Sequence, residues 1–332
     1  MMKFLFHKSL LFVLGILFLS QCLFLSFPNQ TSPIPKEKLV TGSSTESPDK
    51  ILLIPIEGEI SGQKSSGGLL GGEKDSLVSR VKTYLSMAAR DPEIKGVILK
   101  IDSPGGSVTA SDLIHHEILE FKKKKNVPVL SLFMDTAASG AYYLSMATDH
   151  IQAHPTTITG SIGVLRFGIN AKEALDKLGI KSSTIRSGPN KATGNPVEEF
   201  TPEQKKVFQD IIMENYERFL SIIKKGRPKL KESELRKLAD GRIYSANQAL
   251  ETGLIDSIGY FEDAVVQITK LPGYKGSSTL SPRIVFYSYK GPQPENFYQI
   301  DSDTGTGPTL LESLLPFRIS PDHKLHYLFS PE

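Results

Sequence analysis

The sequence predicts an α/β domain with a mostly parallel sheet, and three observations carry that reading. Short apolar runs of strand character alternate with stretches of helical spacing from residue 51 to about 264. Two strand-to-helix junctions, at 102–107 and 136–143, are built from small residues. No internal repeat interrupts the alternation.

Composition is that of an ordinary globular protein. Of 332 residues, 39% are hydrophobic and 23% charged, enough for one sizeable core or two small ones. Lys and Arg number 39 against 36 Asp and Glu, a net charge of +3 that gives no support for nucleic-acid binding. A single cysteine, Cys22, excludes an intrachain disulfide and a cysteine-based zinc cluster. The folded part is held by packing alone.

The chain starts with Lys3, His7 and Lys8 ahead of an apolar run, 10–27, broken by Ser20 and Gln21 and ended by Pro28 and Asn29. A basic flank before such a run reads as an export signal or signal anchor in 1–27. Two versions stay open. About 18 to 20 apolar residues just suffice for a single-pass anchor. Alternatively Leu19, Ser20, Gln21 and Cys22 form a loose lipoprotein box with Cys22 lipidated, although Gln21 stands where a small residue is usual. Both place the rest of the protein at a membrane, on the extracytoplasmic side. Residues 28–50, rich in Ser, Thr, Pro and Lys, read as a flexible stalk.

The folded elements follow in order. A first strand is expected over 51–60 and a loose Gly/Ser loop over 62–72. Leu77, Val81, Leu85 and Ala88 give 76–89 helical spacing. Then come a strand at 95–101, a turn at 102–106 and a helix over 107–124 with Ile114, Ile118 and Phe121 on one face. Its lysine-rich end, 122–125, reads as a solvated helix terminus. A strand at 128–133 precedes a helix at 141–147. A turn and strand surround Gly160 and Gly163 at 158–164. A helix at 171–178 is capped by Gly179, and a strand is expected at 181–187. Helices follow at 202–224, 233–239 and 245–252, with Gly253 as a C-cap and a last short strand beginning at 254–256. The domain is expected to span 51–275. The tail, 276–332, is Pro/Ser/Gly-rich and reads as a short extra strand or as partly unfolded.

Three stretches could do chemistry. In Asp102-Ser103-Pro104-Gly105-Gly106-Ser107, adjacent glycines can aim backbone N–H groups at one point beside a helix N-terminus, as a developing oxyanion requires. The bland alternative is a tight turn. In Thr136-Ala137-Ala138-Ser139-Gly140-Ala141-Tyr142-Tyr143, small neighbours leave room for a substrate backbone at Ser139, which otherwise reads as a helix N-cap. Both turns lie at C-terminal strand ends, where α/β sheets bind ligands. In the loop 187–196, Lys191 stands among small and apolar residues. In a dry pocket a lysine loses its charge more easily and can accept a serine proton; otherwise it is a solvated loop lysine.

Together these stretches resemble the signal peptide peptidase A family, also called protease IV. The resemblance covers about 51–264. Besides the two turns it includes Thr159-Gly160-Ser161-Ile162-Gly163-Val164, the loop around Lys191, and a closing segment from Ala239-Asp240-Gly241-Arg242 to Gly253-Leu254-Ile255-Asp256. It implies Ser139 as nucleophile, Lys191 as general base, Ser161 as the residue that orients Lys191, and Gly106 and Gly140 as oxyanion donors, with no cofactor. Gly188, Pro189 and Asn190 depart from the basic or aromatic residues that often precede the family's lysine. The resemblance also implies a Clp protease/crotonase-like fold of repeated β-β-α units, in the short form with one protease domain. Further implied are a homo-oligomeric ring, in which Ser139 and Lys191 come from one chain or from neighbours, and extended apolar peptides such as cleaved signal peptides as substrates.

Three rivals stay open. A Ser-His-Asp protease of Clp type would draw on His150, His154, His323 or His326. A crotonase-like acyl-CoA enzyme would use the Gly105/Gly106 turn but leave Ser139 without a role. An inactive membrane scaffold would keep the fold only. A lysine base predicts activity that rises with pH.

Overall fold

A computed structural model of the chain describes residues 34–40, 46–64, 75–289, 294 and 296–300, and the backbone of 326–328. The apolar N-terminal segment with Cys22, most of the 62–72 loop and His323 lie outside these residues. The chain divides into a small unit, Met1–Lys36 with Ser288–Pro292, of which few residues are described, and a large one, Glu37–Tyr287 with Gln293–Glu332.

The large unit is a mixed α/β body around a largely parallel sheet. At its centre β2 (Lys50–Glu57) and β3 (Ile94–Ser103) run parallel, in register from Ile51↔Gly96 to Glu57↔Asp102. A central parallel strand is covered on both faces and so must be apolar on both. That is why 51–56 reads as a nearly continuous apolar run, with Ile51, Leu52, Leu53, Ile54 and Ile56 fully buried. On the far side of β3 lies β5 (Val129–Ala138), long enough to serve two neighbours. Its Leu130–Phe133 half pairs with β6 (His150–Ala153), and its Thr136–Ala138 end pairs with β7 (Ile158–Gly160), both parallel. Antiparallel β8 (Ile243–Ser245) flanks β7, and β9 (Ser257–Ile258) flanks β6. The other edge is formed by β10 (Arg283–Ser288), parallel to β2, and then by β1 (Lys36–Leu39).

Helices α1 (Leu77–Arg90) and α2 (Val108–Lys125) pack on one another, and α1 on β2. Ser76 and Ser107 cap them, and left-handed Asn126 (φ 52°) ends α2. A core cluster joins Phe261, Ala264 and Ile268 of a helix at Phe261–Lys270 to Ile51, Leu53, Ile98, Leu130 and Leu132 of the sheet.

Three expectations are corrected. The stalk is not wholly free: Lys36–Leu39 is a strand, Val40 is buried, and the ammonium of Lys50 meets Glu37, Asp91 and Glu93 at 2.9, 3.0 and 2.9 Å. An edge strand tolerates polar composition because so little of it must face the core. No strand forms at 181–187, where every residue is exposed; a β-like run without a partner strand has nothing to pair with. The short strand expected to begin at Leu254 begins instead at Ser257 (β9, Ser257–Ile258), because Leu254 turns inward to close the preceding helix through its N–H bond to the Ala249 carbonyl. In the tail the short extra strand forms as β10, and packing continues past it. Beyond β10, Phe297 stacks on Phe261 with ring centroids 4.0 Å apart, Ile300 is buried, and buried Lys100 donates to the Ile300 carbonyl at 2.8 Å and to Glu57 at 2.9 Å. Buried residues of the large unit therefore lie on both sides of the expected 51–275, Val40 before it and Ile284, Phe286, Phe297 and Ile300 after it. Among the described residues no helix is long and apolar enough to cross a membrane.

Candidate active site

The first turn is assembled where β3 ends. Ser103 Oγ donates to the Gly58 carbonyl (2.6 Å) and accepts from the Gly105 N–H (3.1 Å). Asp102, whose carboxyl burial pushes up, accepts from the Thr136 N–H at 3.1 Å and so ties the turn to β5. The chain continues into a short strand, β4 (Gly105–Ser107), held against Ile60: Ile60 N–H donates to Gly105 and Ser107 N–H to Ile60, at 2.7 and 2.8 Å. A Cβ on Gly106 would lie 2.3 Å from the Ile60 oxygen, so only glycine fits. Successive strand residues present their N–H groups to opposite edges. Gly106 therefore offers its N–H to the outer edge of β4, away from Ile60. A tail strand, β11 (His326–Leu328), runs antiparallel along that outer edge, with Tyr327 opposite Gly106.

Ser139 follows β5 directly and opens α3 (Gly140–Ser145). Its backbone (φ 54°, ψ −112°) is a conformation that L-residues avoid, at a typical cost of about 1–3 kcal/mol. Burial over-determines it: the residue is 1% exposed, and its N–H donates to the Gly160 carbonyl at 2.8 Å. A serine that opens a helix ordinarily uses its hydroxyl as a cap. Ser139 makes no such bond, so the bland reading of this serine fails. Gly140, first in α3, carries an N–H that no carbonyl of its own helix can accept. Two buried tyrosines pin α3. Tyr142 donates to the Leu254 carbonyl at 2.8 Å and Tyr143 to Asp112 at 2.5 Å.

The sheet brings most of the expected residues together. Ser103 pairs with Ala137 and Ala138 with Gly160, so Gly106, Ser139, Gly140 and Ser161 all follow paired positions at neighbouring strand ends. Ser161 also has a left-handed backbone (φ 49°), fixed by its N–H bond to the Arg242 carbonyl at 2.8 Å. That bond explains why the closing segment around 239–242 belongs to the motif set. Ser161 lines a cavity of about 400 Å³ with Leu165, Met213, Tyr216 and Gly241 among others.

Lys191 is different. After α4 (Lys172–Lys177), closed by left-handed Gly179 (φ 73°), the chain is irregular to residue 201. Lys191 is exposed in a turn closed by its own N–H to the Gly188 carbonyl (3.2 Å). The turn hangs from the start of α5 (Pro202–Gly226), where Gln204 donates to the Pro189 carbonyl and Asn190 to Glu203, both at 3.2 Å. The dry pocket expected around Lys191 is therefore not built within one chain, and no hydrogen bond or ion pair among the described residues joins Lys191 to Ser139 or Ser161.

The described histidines do not replace it. His154 Nδ1 lies 2.8 Å from Thr156 Oγ1 of its own turn, and His150 Nε2 lies 2.8 Å from Ser257 Oγ. Sequence reasoning missed Asp102 and Ser103 as builders of the turn, and Asp112, whose partner lies 31 positions away with no local spacing to betray it.

The model of peptidase family S49 matches residues 121–275. A signal peptide peptidase SppA of Enterococcus faecium is 38% identical over 240 residues, covering 72% of this chain and 68% of that protein.

The chain belongs to peptidase family S49, the signal peptide peptidase A family.

Protease 4 of Haemophilus influenzae is 34% identical over 224 residues, which are 68% of this S49 chain but 35% of that longer protein. Among solved structures, a membrane-bound stomatin-specific protease matches 72% of this chain and 98% of its own at 14% identity, with a TM-score of 0.45. Membership of family S49 makes this chain a serine-type peptidase.

Proposed function

We propose that this S49 chain is a membrane-tethered serine endopeptidase that cuts extended apolar peptides, cleaved signal peptides among them, with Ser139 as nucleophile and Lys191 as general base. The observation that carries it is Ser139: buried, in a strained conformation, its hydroxyl unused by the helix it opens, and beside the Gly106 turn. The outer edge of β4 supports a peptide substrate. An extended chain adds there as an antiparallel strand by main-chain bonds, as β11 does, and passes the Gly106 N–H.

In this mechanism neutral Lys191 accepts the Ser139 proton as Oγ attacks the peptide carbonyl. The Gly106 and Gly140 N–H groups stabilise the oxyanion, and Ser161 orients the lysine. The protonated lysine passes its proton to the leaving amine, and a water activated by Lys191 then releases the acyl group from Ser139. Because Lys191 is exposed in the single chain, its dry pocket has to come from assembly. Leu165, Phe167, Ile169, Leu178, Ile180 and Ile185 leave apolar surface exposed along the same stretch, suited to cover by a second copy in a Clp-like ring. Tethering rests on the basic-flanked apolar run at 10–27.

The test treats the assembled protein with a fluorophosphonate probe, with Ser139→Ala and Lys191→Ala alongside and the labelled peptide read by mass. Labelling at Ser139 that both substitutions abolish supports the pair. An assembled wild type that takes no label favours an inactive scaffold, and label that survives Lys191→Ala removes the lysine from the mechanism.

A further inference from the structure

We infer that Arg218, Asp112 and Tyr143 form the fulcrum of α5 and position the Lys191 loop for catalysis. The inference rests on the Ser/Lys reading above and adds three positioning residues to it.

The starting point is how unevenly α5 is held. Over its 25 residues, the buried positions are Gln204, at the loop end, and Phe219, Leu220, Ile222 and Ile223, near the opposite end. The helix is anchored most firmly at one end. Its last third packs on the body, its first two turns carry the Lys191 loop through Gln204 and Glu203, and the stretch between is mostly exposed, touching the body where Tyr216 donates to the Ala239 carbonyl at 2.7 Å and where Met213 lines the Ser161 cavity.

At the anchored end three helices meet. Fully buried Tyr143 of α3, one turn after Ser139, donates to Asp112 Oδ1 of α2 at 2.5 Å. Arg218 of α5 donates to the same oxygen through Nη2 and Nε, at 2.6 and 3.2 Å. Phe219 packs on the Tyr143 ring with centroids 5.1 Å apart. Although burial opposes it, the bonds from Tyr143 and Arg218 hold the Asp112 carboxyl below its ordinary range, so it accepts from both as a carboxylate. Each helix leads to one piece of the proposed chemistry: α2 follows Gly106, α3 follows Ser139, and α5 follows Lys191.

Leverage gives this small cluster its weight. Arg218 to Gln204 spans 14 residues, about 21 Å of helix at ~1.5 Å per residue. A rotation of about 3° at the fulcrum therefore moves the lysine loop by about 1 Å, and misplacement on that scale costs up to about 10²-fold in rate. The argument holds whether Lys191 serves the Ser139 of its own chain or that of a neighbour, because the direction of the arm is set at the same point. An exposed Arg–Asp pair contributes little to stability, so its loss should register in rate rather than in folding.

The experiment compares Arg218→Gln, Asp112→Asn and Tyr143→Phe with wild type in peptide hydrolysis, with oligomeric state and thermal midpoint measured on the same samples. Arg218→Lys tests conservative rescue, and Lys82→Gln, which breaks a surface pair with Glu117 between α1 and α2, serves as the control. The expected result is a kcat 10- to 100-fold lower in Arg218→Gln, with KM within about threefold, unchanged assembly and midpoint, and partial recovery in Arg218→Lys. Lys82→Gln behaves as wild type. A kcat within twofold of wild type in folded, assembled Arg218→Gln and Tyr143→Phe overturns the inference, as does a loss that merely tracks the unfolded or dissociated fraction. The two readings fail separately. Wild-type rates in the hub variants with an inactive Lys191→Ala sink the fulcrum alone, whereas an active Lys191→Ala sinks the Ser/Lys pair and the fulcrum with it.

Discussion

Ser139 directly follows β5, is itself 1% exposed, and is held by its N–H bond to the Gly160 carbonyl of β7. Lys191 sits in a stretch where Ile185 is 99% and Leu178 73% exposed, and where irregular chain runs between one short helix and one long one. The contrast has a physical origin. A strained backbone such as that of Ser139 persists only where surrounding packing over-determines it, so the nucleophile has to be built into the core. A general base needs only to arrive, and an arm suffices if its direction is fixed and its apolar surface is later covered. Under the proposed mechanism one half of the dyad is thus set by the fold, and the other would depend on assembly.

The sharpest way to break this comparison is Lys191→Arg. A guanidinium does not deprotonate in proteins, so the substitution is expected to lower kcat by about 10⁴-fold or more while leaving the protomer folded. Activity close to wild type in a steady-state assay would return the lysine to the solvated surface. Next in size is Gly106→Ala. The added methyl meets the Ile60 oxygen at 2.3 Å, so β4 has to shift and carry its N–H out of line. A fall in kcat of about 10²–10³-fold is expected, with circular dichroism showing the body intact. The next two substitutions set the body against the arm. Phe297→Ala removes a ring stacked on Phe261 and is expected to cost about 3 kcal/mol in urea denaturation. Ile185→Ser, on the arm, is expected to change protomer stability by less than about 0.5 kcal/mol yet to weaken self-association by analytical ultracentrifugation. Equal effects of the two on stability would erase the distinction.

A pH effect belongs to the serine side as well. Burial pushes the His115 imidazole down to about 4, although the Asp112 carboxylate nearby acts the other way, with Arg218, His116 and Lys225 adding to the depression. The unfolded residue titrates near 6.5. Between these values the unfolded state binds the proton that the native state refuses, so stability falls as pH drops from 6.5 towards 4. His115→Phe keeps a ring against Tyr143 and is expected to flatten that decline, measured as urea midpoints at pH 7 and pH 5.

Much of the body was legible because its signals are local. The β2 run, the α1 spacing at Leu77, Val81, Leu85 and Ala88, and the glycine turn at 105–106 each follow from what a buried strand, an amphipathic helix or a close backbone approach demands of consecutive residues. The strand expected at 181–187 failed for the complementary reason: a β-like run is completed only by a partner, and among the described residues no strand pairs with it. In the tail, composition left a short strand and an unfolded segment both open, and the choice is made by Phe261, Ile51 and Lys100, residues far away along the chain that pack or bond with β10, Phe297 and Ile300.

The sequence by itself determined the order of strands and helices, the small-residue turns around Gly106 and Ser139, and the membership of the chain in its family, because these depend on neighbours within a few positions. Only the tertiary structure decided that Ser139 leaves its hydroxyl uncapped in a strained turn, that Asp112 joins α3 to α5, and that Lys191 stands on an exposed arm. Each of these depends on parallel pairing and helix packing between distant segments, whose geometry no local pattern encodes.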